Sequence, residues 1–221
     1  ISMENMPRLS GRTMALSDNS GSAWGSITSE YGSVKIAEID NLSAVIAAAA
    51  SEEGYVGKFG DKLITYPITK RRGILSQAQR ISEARDRNVG GSTEGGIWEF
   101  FWNAIQKKEW WDNIFIYSDQ QAGHGGLFGT PSQMRLYKEK GFGCSYSQQY
   151  INVFDLVREY RKRVNPKVNV FSVQTAGYNN VCVPENAYRT SILYGWTGKE
   201  IHYADIINRL WDEIEGQTNV A

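Results

Sequence analysis

Hydrophobic and polar positions follow two different periods along this chain, which predicts strands and helices in alternation. The apolar run Arg12–Leu16 predicts a short buried strand, and the polar residues 23–33 predict a loop. A helix that ends at Gly54 is predicted next, since apolar side chains recur there at i, i+3, i+4 and i+7. These side chains are Leu42, Val45, Ile46 and Ala49.

A hairpin is predicted directly after this helix. Tyr55–Phe59 and Leu63–Pro67 have strand character, and Gly60-Asp61 between them forms a tight turn. Pro67 cannot donate a hydrogen bond to a neighbouring strand, so the second strand is expected at an edge of the sheet.

The rest of the chain repeats the alternation of helices and strands. Strands are predicted at Ile114–Tyr117, Val168–Val173 and Thr190–Trp196, and a short helix at residues 130–140. Four amphipathic helices have inward faces of Ile74, Ala78 and Ile81; Ile97, Phe101, Ala104 and Ile105; Val153, Leu156, Val157 and Tyr160; and Ala204, Ile207, Leu210, Trp211 and Ile214. This order predicts an α/β fold: a doubly wound, mostly parallel sheet with one antiparallel edge strand and helices on both faces. We expect one domain over residues 11–221, preceded by a linker or arm at 1–10.

Charge and composition narrow the function classes. The 221 residues include 24 Lys+Arg and 24 Asp+Glu, so the formal net charge is zero. A dedicated polyanion binder usually carries a basic excess, which is missing here. Two local basic runs, Lys70–Arg72 and Arg161–Arg163, are typical of solvated surface.

Cysteine use and hydropathy bear on location. The two cysteines, Cys144 and Cys182, have no partners at metal-ligand spacing, and free thiols are the default in a reducing cytosol. The longest aliphatic run, Ala44–Ala50, is far too short to cross a bilayer. We therefore expect a cytoplasmic protein without a membrane partner.

Three polar loops follow predicted strands or precede a helix, where doubly wound sheets bind ligands. The first is the stretch "DNSGS", with Asp18, Ser20 and Ser22 at i, i+2 and i+4; the others contain Thr93, in "GGSTEGG", and Asp119. Each loop alone is more simply explained as a helix cap. Together they offer two carboxylates and three hydroxyls, the oxygen ligands that Mg²⁺ prefers.

These motifs resemble those of a known family. Asp18-x-Ser20-x-Ser22, Thr93 and Asp119, in this element order, resemble the metal-ion-dependent adhesion site of a von Willebrand factor type A domain. The stretches "ALSDNSGSAWG", "FIYSDQQAG" and "FDLVREYRKRVNPKVNVFSVQTAGY" resemble, more narrowly, the C-terminal half of TROVE-module proteins, the Ro ribonucleoprotein family.

The resemblance implies a Rossmann-like domain that holds Mg²⁺, Mn²⁺ or Ca²⁺ through the five positions named above. It also implies small structured RNA as a ligand of the full-length protein, although the N-terminal helical ring that makes much of that contact in the family is not in this chain. A protein partner offering a carboxylate could complete the metal site in the same way. Trp24, Gln120 and His124 are candidates for contacting the ligand.

Two catalytic readings compete with the binding domain. A metal-dependent phosphoester hydrolase would use Asp18 and Asp119 with His124, but Ser20 stands where a phosphate-transferring motif has its second aspartate. "GGSTEGG" could cradle a phosphate at a helix N-terminus, yet it lacks the lysine of a P-loop. We therefore expect a binding domain and not an enzyme.

Overall fold

The central sheet of this protein, seen in a computed structural model, has six strands with order β3-β2-β1-β4-β7-β8. They are β1 (Leu9–Asp18), β2 (Ser51–Phe59), β3 (Leu63–Ile68), β4 (Asn113–Ser118), β7 (Asn169–Gln174) and β8 (Thr190–Tyr194); β5 (Leu127–Phe128) and β6 (Tyr150–Ile151) form a separate antiparallel pair. The structure describes residues 6–25, 32–83, 89–91, 94–119, 127–128, 135, 139, 150–151, 153–176, 182–184 and 186–218.

All neighbours in the main sheet are parallel except β2 and β3, which form an antiparallel hairpin at one edge. The predicted fold class is therefore confirmed, including the antiparallel edge strand that contains Pro67. Among the described residues, the helices are α1 (Gly21–Gly25), α2 (Ile36–Ala50), α3 (Ile74–Ser82), α4 (Glu94–Lys107), α5 (Val153–Arg163) and α6 (Lys199–Thr218). None of these described helices has the length and hydropathy required to span a bilayer.

Alternation along the buried strands divides the core between the two faces of the sheet. Met14, Leu16, Ile114 and Ile116 pack with α4 and α5 on one face. The side chains that point the other way pack with α2, α3 and α6; on β1, β4 and β7 they include Ala15, Phe115, Tyr117, Phe171 and Val173. Helices therefore cover both faces, as the order of elements predicts.

The boundaries of several elements differ from the sequence predictions. β1 includes Leu9 and Ser10 from the predicted arm, and Leu9 is buried. Residues 23–25 of the predicted loop belong to the short helix α1. The helix α2 ends at Ala50, before Gly54, which lies inside β2. A side chain at position 54 would collide with the carbonyl oxygen of Ala48, so glycine lets α2 lie directly against the strand.

Three further predictions have mixed outcomes. Leu210 and Ile214 of α6 are 53% and 45% exposed, so the predicted inward face of this helix is only partly covered. Arg161 is not solvated surface, because its guanidinium donates to the carbonyl oxygens of Val168 and Arg189. The helix predicted at residues 130–140 lies almost wholly outside the described residues.

Candidate metal site at the carboxyl edge of the sheet

The candidate site lies where β1 and β4 end side by side. The two strands are adjacent and parallel, with Ser17 opposite Tyr117, so the polar residues that follow them meet at one edge. Asp18 is the last residue of β1, and Asp119 directly follows β4. Both carboxylates are fully buried, which is rare for aspartate unless it is paired.

Hydrogen bonds fix the position of the Asp18 carboxylate. One oxygen accepts from the Ser118 hydroxyl at 2.6 Å, and the other accepts from the backbone amide of Ser20 at 2.9 Å. Burial and the negative charge of Asp119 nevertheless raise the pKa of Asp18 from 3.8 to about 6, although these hydrogen bonds lower it. The Asp18 carboxylate is therefore hard to ionise in this buried position, and a bound cation would stabilise its charged form.

Ser20 and Ser22 bring their hydroxyls together at the start of α1. The two Oγ atoms are 3.1 Å apart, and Ser20 is buried. Asp18, Ser20 and Ser22 thus form one polar group, as their alternate spacing suggests. Trp24 lies one turn further along α1, where it is half-buried and packs against Ala23, Ile36 and Ala37.

The glycine-rich loop reaches this group through its backbone. The amide of Gly21 donates to the carbonyl oxygen of Gly91 at 3.0 Å. Gly90 has a φ of +90°, and the Asp61 carboxylate occupies the space that a side chain at position 90 would need. Thr93, two residues beyond Gly91, lies outside the described residues, as do Gln120 and His124.

Hydrogen bonds of the buried Asn41 and Asn19 side chains hold the residues of the candidate site in position. The Asn41 side chain, on α2, accepts from the Ser17 hydroxyl at 2.8 Å and from the Asn19 side chain at 2.9 Å. It also donates to Asn19 at 3.1 Å and to the Ser82 hydroxyl at 2.8 Å. This network ties the loop after β1 to two helices on one face of the sheet.

A third buried carboxylate was missed by the sequence analysis. Asp40, on α2, is fully buried, and the Thr175 side chain is the one hydrogen-bonding group near it among the described residues. Burial and the charges of Asp18 and Asp119 raise its pKa well above the usual value. The available signal was helical periodicity, which places Asp40 on the same face as Ile36, Ala44 and Ala47, all of them buried.

The residues described here fit a hard cation by the chemistry of their donors. Buried carboxylate oxygens that repel each other are stabilised by a dication, and serine hydroxyls are ligands that Mg²⁺ accepts. Within the described ranges, no group of three or more His, Cys, Asp or Glu side chains is arranged to hold a metal ion. A site here would therefore use two carboxylates with hydroxyl oxygens, and not a cage of acids.

Other candidate catalytic groups lie away from this edge or are inert. Cys182 is buried, and burial raises the pKa of its thiol to about 12, which suppresses the nucleophilic thiolate. His202 is exposed on α6. Trp98 and Trp102 stack on each other at 5.2 Å within the core region, so packing explains them.

Similarity to known proteins is found in structure alone. No protein-family model matches the sequence, and neither does any curated protein. The Ro (RSR) protein of Deinococcus radiodurans is similar over 92% of this chain, with a TM-score of 0.55 and 12% identity. A mutant of the PilB minor pilin from Streptococcus sanguinis is similar over 95% of the chain, with a TM-score of 0.50 and 13% identity.

This chain spans 34% of the Ro protein and 62% of the pilin, so the similarity concerns only a part of each. At such identities it shows the fold and not the function. The fold resembles a portion of the Ro protein, in agreement with the narrower resemblance that the sequence motifs carry.

Proposed function

We propose that this domain binds a divalent cation at the carboxyl edge of its sheet and uses it to recognise an acidic ligand. Mg²⁺ is the cation we expect, with Mn²⁺ or Ca²⁺ as alternatives. The observation that carries the proposal is the pair of fully buried carboxylates, Asp18 and Asp119, at one edge of the sheet; burial and the charge of Asp119 raise the pKa of Asp18. Ser20, Ser22 and Thr93 are the proposed hydroxyl ligands.

The proposed ligand completes the metal coordination through its own negative group. Two aspartates neutralise a dication and leave room for one further anionic oxygen, from a phosphate or a carboxylate. The similarity in fold to a Ro protein supports small structured RNA as the ligand in the full-length protein. A protein partner that offers a carboxylate uses the same chemistry.

Binding is favoured over phosphoester hydrolysis by the residues at this edge. A hydrolase needs a general base or nucleophile within reach of the metal-bound substrate. Ser20 stands where a phosphate-transferring motif has its second aspartate; His124, the base that such a reaction would use, lies outside the described residues.

A thermal melt with and without Mg²⁺ or Mn²⁺ tests the cation. At a hundredfold excess over the dissociation constant, binding adds about 2.7 kcal/mol to the free energy of unfolding. Asp18→Asn keeps the size of the side chain but removes its charge and one of its two acceptor oxygens, so the metal-dependent rise should vanish. Asp205→Asn, on α6, is the matched control and should keep it. An equal rise in the free energy of unfolding in the parent and both variants would show that the metal binds elsewhere. If metal raised it in none of the three, the proposal would be wrong.

The ligand is tested by fluorescence anisotropy with a labelled RNA hairpin and a labelled acidic peptide. Each is titrated with the protein in Mg²⁺ and again in EDTA. We expect binding of one probe that EDTA and Asp18→Asn both abolish. Binding that is unchanged in EDTA would show that the recognition does not pass through the metal.

A further inference from the structure

A cleft lies at the opposite, amino edge of the sheet. It has a volume of about 630 Å³ and is bounded by α2, the start of α3, residues 69–73 and the residues that lead into β1. Pockets for small molecules have volumes of roughly 300–1,000 Å³, so this cleft is of a suitable size. It is separate from the candidate metal site, because α2 runs from the carboxyl edge to the amino edge, where β2 begins at Ser51.

The floor of the cleft is aliphatic. α2 and α3 supply Leu42, Ile46, Ala49, Ala50, Ile74 and Leu75. Leu75 is 73% exposed at the first turn of α3, the largest exposure among the exposed large hydrophobic side chains of the described residues. An aliphatic floor with an exposed leucine beside it favours an apolar occupant.

The rim of the cleft is cationic. Arg8, Lys70, Arg71 and Arg72 line it, and no acidic residue does so among the described residues. These four side chains are exposed, and none forms an ion pair with a described carboxylate. In a chain whose net charge is zero, this places a local positive field over an apolar surface.

A buried glutamine holds the cationic loop in place. Gln77, which is 3% exposed, donates through Nε2 to the carbonyl oxygens of Thr69 and Arg72 at 3.1 Å. Its Oε1 accepts from the Thr69 amide, also at 3.1 Å. Because the backbone of the loop is fixed, an anion binding there would pay less ordering entropy.

We propose that this basic cleft binds a single-chain anionic amphiphile, a fatty acid. The alkyl chain lies on the aliphatic floor, and the carboxylate is held by the cations of the rim. The cleft is unsuited to stacking nucleic-acid bases, because none of its described lining residues is aromatic. This proposal is independent of metal binding at the carboxyl edge.

Isothermal titration of the whole chain with saturated fatty acids of eight, ten and twelve carbons, below their micelle concentrations, tests the proposal. Each added methylene that is buried should raise the affinity about fourfold. Dodecanol should bind at least tenfold more weakly than dodecanoate, and dodecyltrimethylammonium should not bind. Equal affinities for dodecanoate and dodecanol would show that the cations of the rim do not bind the carboxylate, which would contradict the proposal. The absence of binding by any of the acids would overturn the proposal.

Charge reversal at the rim locates the binding. The double variant Arg71→Glu/Arg72→Glu should lower the affinity for dodecanoate at least tenfold, and Leu75→Glu should lower it similarly. The matched control Lys107→Glu/Lys162→Glu makes the same charge change at exposed positions outside the cleft and should leave the affinity unchanged. Equal losses in both double variants would show attraction by net charge alone. Binding to vesicles of anionic phospholipid, without binding of monomeric dodecanoate, would identify a membrane surface as the partner and overturn the proposal.

Discussion

The two edges of the sheet handle charge in opposite ways. At the carboxyl edge, Asp18, Asp40 and Asp119 are fully buried. Burial and the neighbouring negative charges raise the pKa of Asp18 and of Asp40. At the amino edge, the arginines and lysine around the basic cleft are exposed and lie over aliphatic side chains. Burial of charge at the carboxyl edge therefore has a cost in stability, which a bound cation would relieve, whereas the exposed charges of the amino edge have little influence on folding.

The largest expected effect is a pH dependence of stability that originates at the carboxyl edge. A carboxyl whose pKa is raised on folding binds its proton more tightly in the folded state than in the unfolded state. The resulting stability is fully present below pH 3.8 and is lost as the pH rises to about 6. For Asp18 in metal-free protein the loss amounts to roughly 3 kcal/mol, and Asp40 acts in the same direction.

Urea denaturation between pH 3.5 and 7 gives the free energy of unfolding of the parent and of Asp18→Asn. The loss is measured as the pH dependence of the difference between these two free energies. The difference is needed because other carboxyls act in the opposite sense; ion pairing lowers the pKa of Glu215 to about 2. In saturating Mg²⁺, the free energy of unfolding of the parent should change with pH in the same way as that of Asp18→Asn. Parallel curves in the absence of metal would show that the Asp18 carboxylate is stabilised in the folded protein without a cation.

A smaller effect is expected from Asn41→Ala, which breaks the amide network under the same edge. The substitution removes one hydrogen-bond partner each from Ser17, Asn19 and Ser82, and it leaves the Oδ1 of buried Asn19 without the donor that it has in the parent. We expect a loss of about 2 kcal/mol in the free energy of unfolding. Asn103→Ala, a half-buried position on α4 with no such network, is the control; a similar loss there would show that the network contributes nothing specific.

The smallest effect is expected at the amino edge. Arg71→Glu/Arg72→Glu should change the free energy of unfolding by less than about 0.5 kcal/mol, because both side chains are exposed and form no ion pair with described residues. Urea denaturation at pH 7 measures it. A loss above 1 kcal/mol would show that the cations of the rim stabilise the fold, and it would contradict the statement that the amino edge has little influence on folding.

Hydrophobic periodicity was sufficient to predict the fold, but it did not predict which polar side chains are buried. It predicted strands that alternate with helices in a mostly parallel sheet, and thus that Asp18 and Asp119 lie at one edge of that sheet. It did not predict that Asp40 and Asn41 face inward, because polar residues on a helix are normally assigned to solvent. The basic cleft was also beyond local patterns, since its floor combines residues from α2 and α3 with a rim from the loop between β3 and α3.

The central position of β1 has a consequence for synthesis on the ribosome. One side of β1 can pair with β2 once Phe59 has emerged, but its other side pairs with β4, which ends at Ser118. Until then β1 exposes a row of unpaired backbone groups, a template for pairing with other chains. Pairing of the second side of β1 and delivery of the Ser118 hydroxyl to Asp18 therefore occur together, so the candidate site at this edge can form only after synthesis has passed the end of β4.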